Sequence, residues 1–208
     1  MGCTGACVAS ILRRNSEEAE TTFPRTYLGQ LHAALETIDL TKVEQAIQWL
    51  GAARDEGQQV FVCGNGGSAA TASHFAADMV KGASYGRPER FRIMALTDPL
   101  PTITAYANDV SYECVFAEQL KNFVRPGDLA IAISGSGNSL NVLKAIEYAN
   151  SIGCRTIALT GQDGGKLGSL AQLNIQVREP HMGRIEDAHM AICHMIAYYF
   201  MELTDCQQ

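Results

Sequence analysis

The sequence predicts an α/β fold: one parallel sheet with helices on both faces, plus a helical extension at the N-terminus. Three observations carry that reading. Short apolar runs recur along the chain, and each is continuous rather than alternating, as strands buried on both faces require. Helical patterns stand between the runs. Two of the runs end in Gly/Ser-rich loops that lead straight into a helix, which is how an open parallel sheet builds a ligand site outside the carboxyl ends of its strands.

Taken in order, residues 1–24 are mixed and Glu-rich around Ser16–Glu20, which predicts an N-terminal tail, with residues 25–208 forming one domain. From Thr26 apolar residues recur at helical spacing: Leu28, Leu31, Leu35 and Ile38. Asp39 and Thr41 supply capping chemistry for a second helix that carries Val43, Ala46, Ile47 and Leu50 on one face, and Gly57 closes it. The period then changes. Strands are expected at Gln59–Cys63, Arg92–Thr97, Leu129–Ile133, Thr156–Leu159 and Asn174–Val177. Helices are expected at Ala69–Lys81, Leu100–Ala107, Tyr112–Phe123, Asn141–Ile152 and Ile185–Leu203. No linker separates domains, and the order of the strands cannot be read from the sequence.

Composition narrows the function classes. Hydrophobic residues make up 47% and charged residues 18% of the 208, an ordinary globular balance. Lys+Arg 16 against Asp+Glu 22 leaves a net charge of −6, so overall charge does not attract nucleic acid. The longest apolar tract, Ala188 to Met201, contains His189 and His194 and falls short of the roughly 20 residues of a membrane span. Seven scattered cysteines without a CxxC spacing read as reduced thiols of a cytoplasmic protein. The expected partner is a small molecule, with neither nucleic acid nor membrane.

The two loops are Gly64-Asn65-Gly66-Gly67-Ser68 and Ser134-Gly135-Ser136-Gly137-Asn138-Ser139. Glycines permit close backbone approach, the helix that follows offers free N–H groups and a positive dipole end, and serine hydroxyls add neutral donors. Together these features predict a phosphate cradle without a lysine. No GxxxxGK[ST] is present, and the formal GxGxxA match lacks its acidic partner at the end of the second strand.

A second constellation lies on helices. His74 and Asp78 are spaced i, i+4 on the helix after the first loop, and Glu186 and His194 i, i+8 on the last one. Two imidazoles and two carboxylates suit a zinc-like divalent ion and equally suit an acid/base pair for proton transfer next to a carbonyl. His189 reads as a helix histidine satisfied within the core, and Tyr198, Tyr199 and Phe200 as core or subunit contacts.

The succession of a helical pair, CGNGGSAATASHFAADM, LTD, ISGSGNSLNV, LTGQDGG and RIEDAH…H resembles the sugar isomerase (SIS) domain, and within it the phosphoheptose isomerases, from about Thr26 to Glu202. The resemblance implies a flavodoxin-like, five-stranded parallel sheet and a homotetramer with sites at subunit interfaces. It implies an aldose–ketose isomerisation of sedoheptulose 7-phosphate to D-glycero-D-manno-heptose 7-phosphate through an enediol. Asp78 and His194 match its acid/base residues, and His74, Asp78, Glu186 and His194 its zinc ligands. The substrate contacts expected are Asn65, Gly66, Gly67, Ser68, Asp78, Thr97, Asp98, Ser134, Gly135, Ser136, Ser139 and Glu186. The chain departs from the family pattern in having Asp rather than Glu at 78, Glu rather than Gln at 186, Gly rather than Asp at 183, and Gly rather than Thr at 135. The rival classes are an interaction protein similar to the DnaA initiator-associating protein and a sugar-phosphate-binding regulator. The initiator-associating protein lacks the second histidine of the terminal helix, so His194 favours the enzyme.

Overall fold

The computed structural model describes residues 22–202. Helical backbone runs over residues 22–35 (α1), so the helix is already formed at Pro24. The rest of the expected tail, residues 1–21, lies outside the described residues. Helix α2 (Leu40–Asp55) starts as its capping residues require: the Asp39 side chain accepts from the Thr41 backbone N–H. Gly57, at φ +67°, follows its last turn.

The strands are β1 (Gln59–Gly64), β2 (Arg92–Ala95), β3 (Leu129–Ser134), β4 (Arg155–Thr160) and β5 (Leu173–Gln176). They form one all-parallel sheet in the order β2-β1-β3-β4-β5, the flavodoxin-like arrangement. Between them lie α3 (Gly67–Ala77), α4 (Leu100–Asp109), α5 (Val115–Phe123), α6 (Leu140–Ser151) and α7 (Gly165–Leu170), and the chain closes with α8 (Met182–Glu202). Strand β2 is shorter than its apolar run: the backbone turns after Ala95, which leaves Thr97 and Asp98 in the following loop. Helix α3 likewise stops before Lys81 and continues as one wide π turn, Asp78–Gly82. Tyr112–Cys114 is a tight 3₁₀ turn that leads into α5. Helix α7 was not expected, since six residues with two glycines carry no helical period.

Two apolar layers sandwich the sheet. In β3, Leu129, Ile131 and Ile133 pack with α2, α3 and α8 on one face, while Ala130 and Ala132 meet α5 and α6 on the other. The alanines keep that second face shallow, so Phe116 and Leu120 of α5 and Ile146 of α6 lie close over the strands. Loops β1–α3 and β3–α6 emerge side by side, because Gly64 pairs with Ile133 across adjacent strands. Connections diverge there, β1 to β2 on one side and β3 to β4 on the other, which opens a crevice at the carboxyl ends. Among the described residues no helix is long and apolar enough to cross a membrane.

Candidate active site

The crevice holds a cleft of about 270 Å³ lined by Asn65, Gly66, Gly67, Ser68, Ser134, Gly135, Ser136, Ser139 and Glu186, with Ile133 and Met182. Every loop residue expected to contact substrate lines it, whereas Gly64, Gly137 and Asn138 of the same loops do not. Helix α3 begins at Gly67 with no side-chain cap, and α6 begins after Ser139, likewise uncapped. Both helices therefore present first-turn N–H groups to the cleft, as anion binding requires. The Ser134 and Ser139 hydroxyls lie 3.4 Å apart. Gly137 (φ +64°) could not carry a side chain, since a Cβ there would stand 2.1 Å from the Gly164 carbonyl. This contact pins the serine loop to the loop after β4.

The first loop is fixed from behind by residues that the sequence did not single out. Asn65 and Asn141 exchange amide hydrogen bonds of 2.8 and 2.9 Å, and Tyr112 Oη donates to Asn65 Oδ1 at 2.8 Å. The Asn65 side chain is thereby committed to holding the loops together. Asn141 is buried at the start of α6; a buried amide beside a Gly/Ser loop is the signal that could have found it.

About 10 Å further along α3, His74 and Asp78 meet His194 of α8. The Nε2 atoms of the two histidines are 3.1 Å apart. Asp78 Oδ2 lies 3.3 Å from the first and 3.8 Å from the second. That oxygen is buried and has no hydrogen bond among the described residues. All three ligand atoms lie within 4.8 Å of one another. Tetrahedral ligands at 2.0–2.1 Å from zinc would stand about 3.3 Å apart. The orphaned carboxylate oxygen and the facing imidazoles therefore fit a divalent cation in spacing and in donor chemistry.

Glu186 is not in this group. Its carboxylate lies against Gly67, where a Cβ would stand 2.5 Å from it. The i, i+8 spacing separates it from His194 by about 12 Å along the helix axis, and the side chain reaches the loop cleft rather than the histidines. Asp98 and Thr97 also lie apart from the cleft, at the end of β2, where both contact Ser73.

His189 is fully buried, as a core histidine would be, yet neither ring nitrogen has a hydrogen-bond partner among the described residues. Burial pushes its pKa down to about 4, with the Thr160 backbone opposing weakly. Its ring therefore stays neutral at working pH. His181 is exposed and packs edge-on against Tyr27 at 5.9 Å.

The sequence pattern of the SIS domain matches residues 26–161. The chain is 43% identical over 141 residues to a phosphoheptose isomerase of Mycobacterium tuberculosis, covering 68% of this chain and 71% of that one. It is 41% identical over 140 residues to the phosphoheptose isomerase of Akkermansia muciniphila, covering 67% and 74%. The solved structure of phosphoheptose isomerase GmhA from Neisseria gonorrhoeae superposes with a TM-score of 0.78 at 31% identity, over 89% of this chain and 97% of that one. The chain belongs to the SIS domain family, in its phosphoheptose isomerase branch.

Two departures from the phosphoheptose isomerase pattern acquire a physical setting. At Gly183 a Cβ would lie 3.1 Å from Tyr27 Oη, and that hydroxyl donates to Asp187 Oδ2 at 2.6 Å. At Gly135 a Cβ would lie 2.4 Å from Met182 Sδ. In both places the atom met is the end of a neighbouring side chain, which would have to shift to admit a side chain at the glycine.

Proposed function

We propose that the chain is an aldose–ketose isomerase that interconverts sedoheptulose 7-phosphate and D-glycero-D-manno-heptose 7-phosphate through an enediol. The observation that carries the proposal is Asp78 Oδ2, buried without a hydrogen bond among the described residues, 3.3 and 3.8 Å from two imidazole nitrogens at the far end of the helix that opens at the phosphate loop.

The steps follow from what these groups can do. The N–H groups of the two helix starts, together with Ser68, Ser134, Ser136 and Ser139, would hold the phosphate. Asn65, Gly66, Gly67 and Gly135 would shape the loops around it. Glu186 and Asp98 would accept hydrogen bonds from sugar hydroxyls, with Thr97 beside the latter. Asp78 Oδ2 faces the histidines, which leaves Oδ1 to take the proton from C1 of the ketose. His194 gives a proton to the C2 oxygen, and the enediol results. His194 then recovers a proton from the C1 oxygen while Asp78 returns its own to C2, giving the aldose with every proton accounted for. Each transfer is worth about 10²–10⁴-fold. His74, Asp78 and His194 would hold a zinc ion, while Glu186, which the resemblance implies as a fourth ligand, lies at the loop cleft instead. The chemistry such an ion supplies is polarisation of the substrate carbonyl.

Three finer points belong to the same reading. Val80, Tyr85, Met195, Tyr198 and Tyr199 are exposed on and just beyond the wide turn after α3 and along α8, an apolar surface suited to packing further copies in a homotetramer. Residues 25–208 would act as a single domain behind the 1–24 tail. Cys63, Cys154 and Cys193 are buried free thiols, which suits a reducing cytoplasmic setting.

The test is incubation of purified protein with sedoheptulose 7-phosphate and chromatography that separates the heptose 7-phosphate isomers. A new aldose peak growing with enzyme concentration is expected; its absence under all divalent-metal conditions tried would defeat the proposal.

A further inference from the structure

The hydroxyl protons at the end of β2 can be assigned by counting. Ser73 Oγ lies 2.5 Å from Asp98 Oδ1 and 3.0 Å from Thr97 Oγ1. A serine has one proton to give, and a carboxylate can only accept. The Ser73 proton therefore goes to Asp98, and Thr97 supplies the proton between the two hydroxyls. Thr97's other acceptor, the Ala69 carbonyl, is at 3.5 Å, at the limit of a hydrogen bond. Thr97 thus spends its proton inward. Asp98 Oδ2 takes no hydrogen bond from the described residues, and the side chain is exposed beside Pro99 on a cleft of about 550 Å³ that Ser73 also lines.

Without Ser73 the carboxylate would be a free rotor on a loop, just beyond a four-residue edge strand. Ser73 belongs to α3, the helix that also carries Ser68 at the phosphate loop and His74 at the metal-type cluster. One helix therefore fixes the loop, the histidine and the carboxylate relative to one another.

We infer that Ser73 is a positioning residue for sugar recognition: it locks Asp98 so that Oδ2 is presented to a hydroxyl of the sugar. The inference rests on the isomerase reading's assignment of Asp98 to the sugar rather than to the phosphate. It assigns Ser73 no contact with substrate.

Calorimetric titration with sedoheptulose 7-phosphate and, separately, with inorganic phosphate tests it. Ser73→Ala should weaken sugar-phosphate binding roughly 3- to 10-fold, the scale of leaving one side chain to be ordered on binding. Asp98→Ala should weaken it at least about 10-fold, as loss of a charged hydrogen bond does. The double variant should bind no worse than Asp98→Ala, and Ser73→Thr should restore affinity, since it keeps the hydroxyl. Inorganic phosphate should bind all variants within about 2-fold of the wild type, because the loops it uses are untouched. Additive losses in the double variant, unchanged binding in Ser73→Ala, or a parallel loss of phosphate affinity would each overturn the inference. If Asp98→Ala binds the sugar phosphate like the wild type, the inference falls while the isomerase reading stands. Wild-type protein that binds without turning over reverses that outcome, and wild-type protein that does not bind at all sinks both.

Discussion

Replacing His189 by leucine should change how the stability of the protein depends on pH. The histidine is fully buried, and its pKa falls from the ordinary 6.5 to about 4 because burial disfavours the charged ring. A depressed pKa means that the unfolded chain binds the proton first. Stability is therefore intact above pH 6.5 and is lost as pH falls toward 4. At pH 5 the unfolded residue is almost wholly protonated and the folded one mostly neutral, a difference of about 2 kcal/mol; at pH 7.5 the same term is close to zero. By pH 3 to 4 it approaches its limit of about 3 kcal/mol. With a urea slope near 2–3 kcal/mol/M for a chain of this size, 2 kcal/mol moves the midpoint by roughly 0.7–1 M. Urea unfolding of wild type and His189→Leu at pH 7.5 and 5.0, at one protein concentration, isolates the term, because every other titrating group is common to both. The wild type should lose about 2 kcal/mol more than the variant over that interval. At pH 7.5 the variant should be at least as stable, since it removes two buried nitrogens that lack a well-formed hydrogen bond among the described residues. Parallel pH profiles would refute the reasoning.

Three further outcomes follow from the same geometry. Replacing Ser134 and Ser136 together by alanine should weaken sugar-phosphate binding at least roughly 10-fold, the lower bound for one lost hydrogen bond to a charged group; calorimetry checks it, and unchanged affinity would remove these serines from the cradle. Protein purified without chelator should carry near-stoichiometric divalent metal by elemental analysis, and His74→Ala/His194→Ala should lose it; metal content unaffected by the double substitution would place the ion elsewhere. Cys63, Cys154 and Cys193 should resist alkylation in the native state, because burial pushes their thiols up to about 12, 11 and 12 and leaves no thiolate to react; peptide mapping after labelling at pH 8 reads this directly, and rapid modification of any of the three would contradict their placement.

The parts of this protein that were legible in its sequence are those fixed by local rules. Val60–Cys63 and Leu129–Ile133 announce themselves because a strand buried on both faces has no polar alternation to hide in. The loops after them announce the ligand end of the sheet for the same reason: glycine and serine at a strand-to-helix turn have a direct physical use. The i, i+4 pair His74 and Asp78 was legible because helix geometry alone places both side chains on one face. Strand order was not legible, since pairing is decided by crossovers that leave no local mark. Nor was the division of labour within α8: His194 joins the cluster while Glu186 reaches the loop, and only the packing of α8 against α3 decides that. Ser73 was hidden for a similar reason. An isolated serine inside an Ala-rich helix carries no pattern, and its meaning comes wholly from where β2 ends. Asn141 and Tyr112 were missed alike, because their partner Asn65 is distant in sequence.

The central claim is that Asp78 moves a carbon-bound proton of a sugar phosphate, and solvent deuterium tests it most directly. Wild-type protein incubated with sedoheptulose 7-phosphate in D₂O should incorporate deuterium at C1 of the ketose and at C2 of the aldose, followed by NMR and mass spectrometry. Asp78→Asn should slow that exchange at least about 10²-fold while still binding the substrate, and Asp78→Glu, which keeps the carboxylate, should preserve it. Undiminished exchange or undiminished isomerisation in Asp78→Asn would contradict the account.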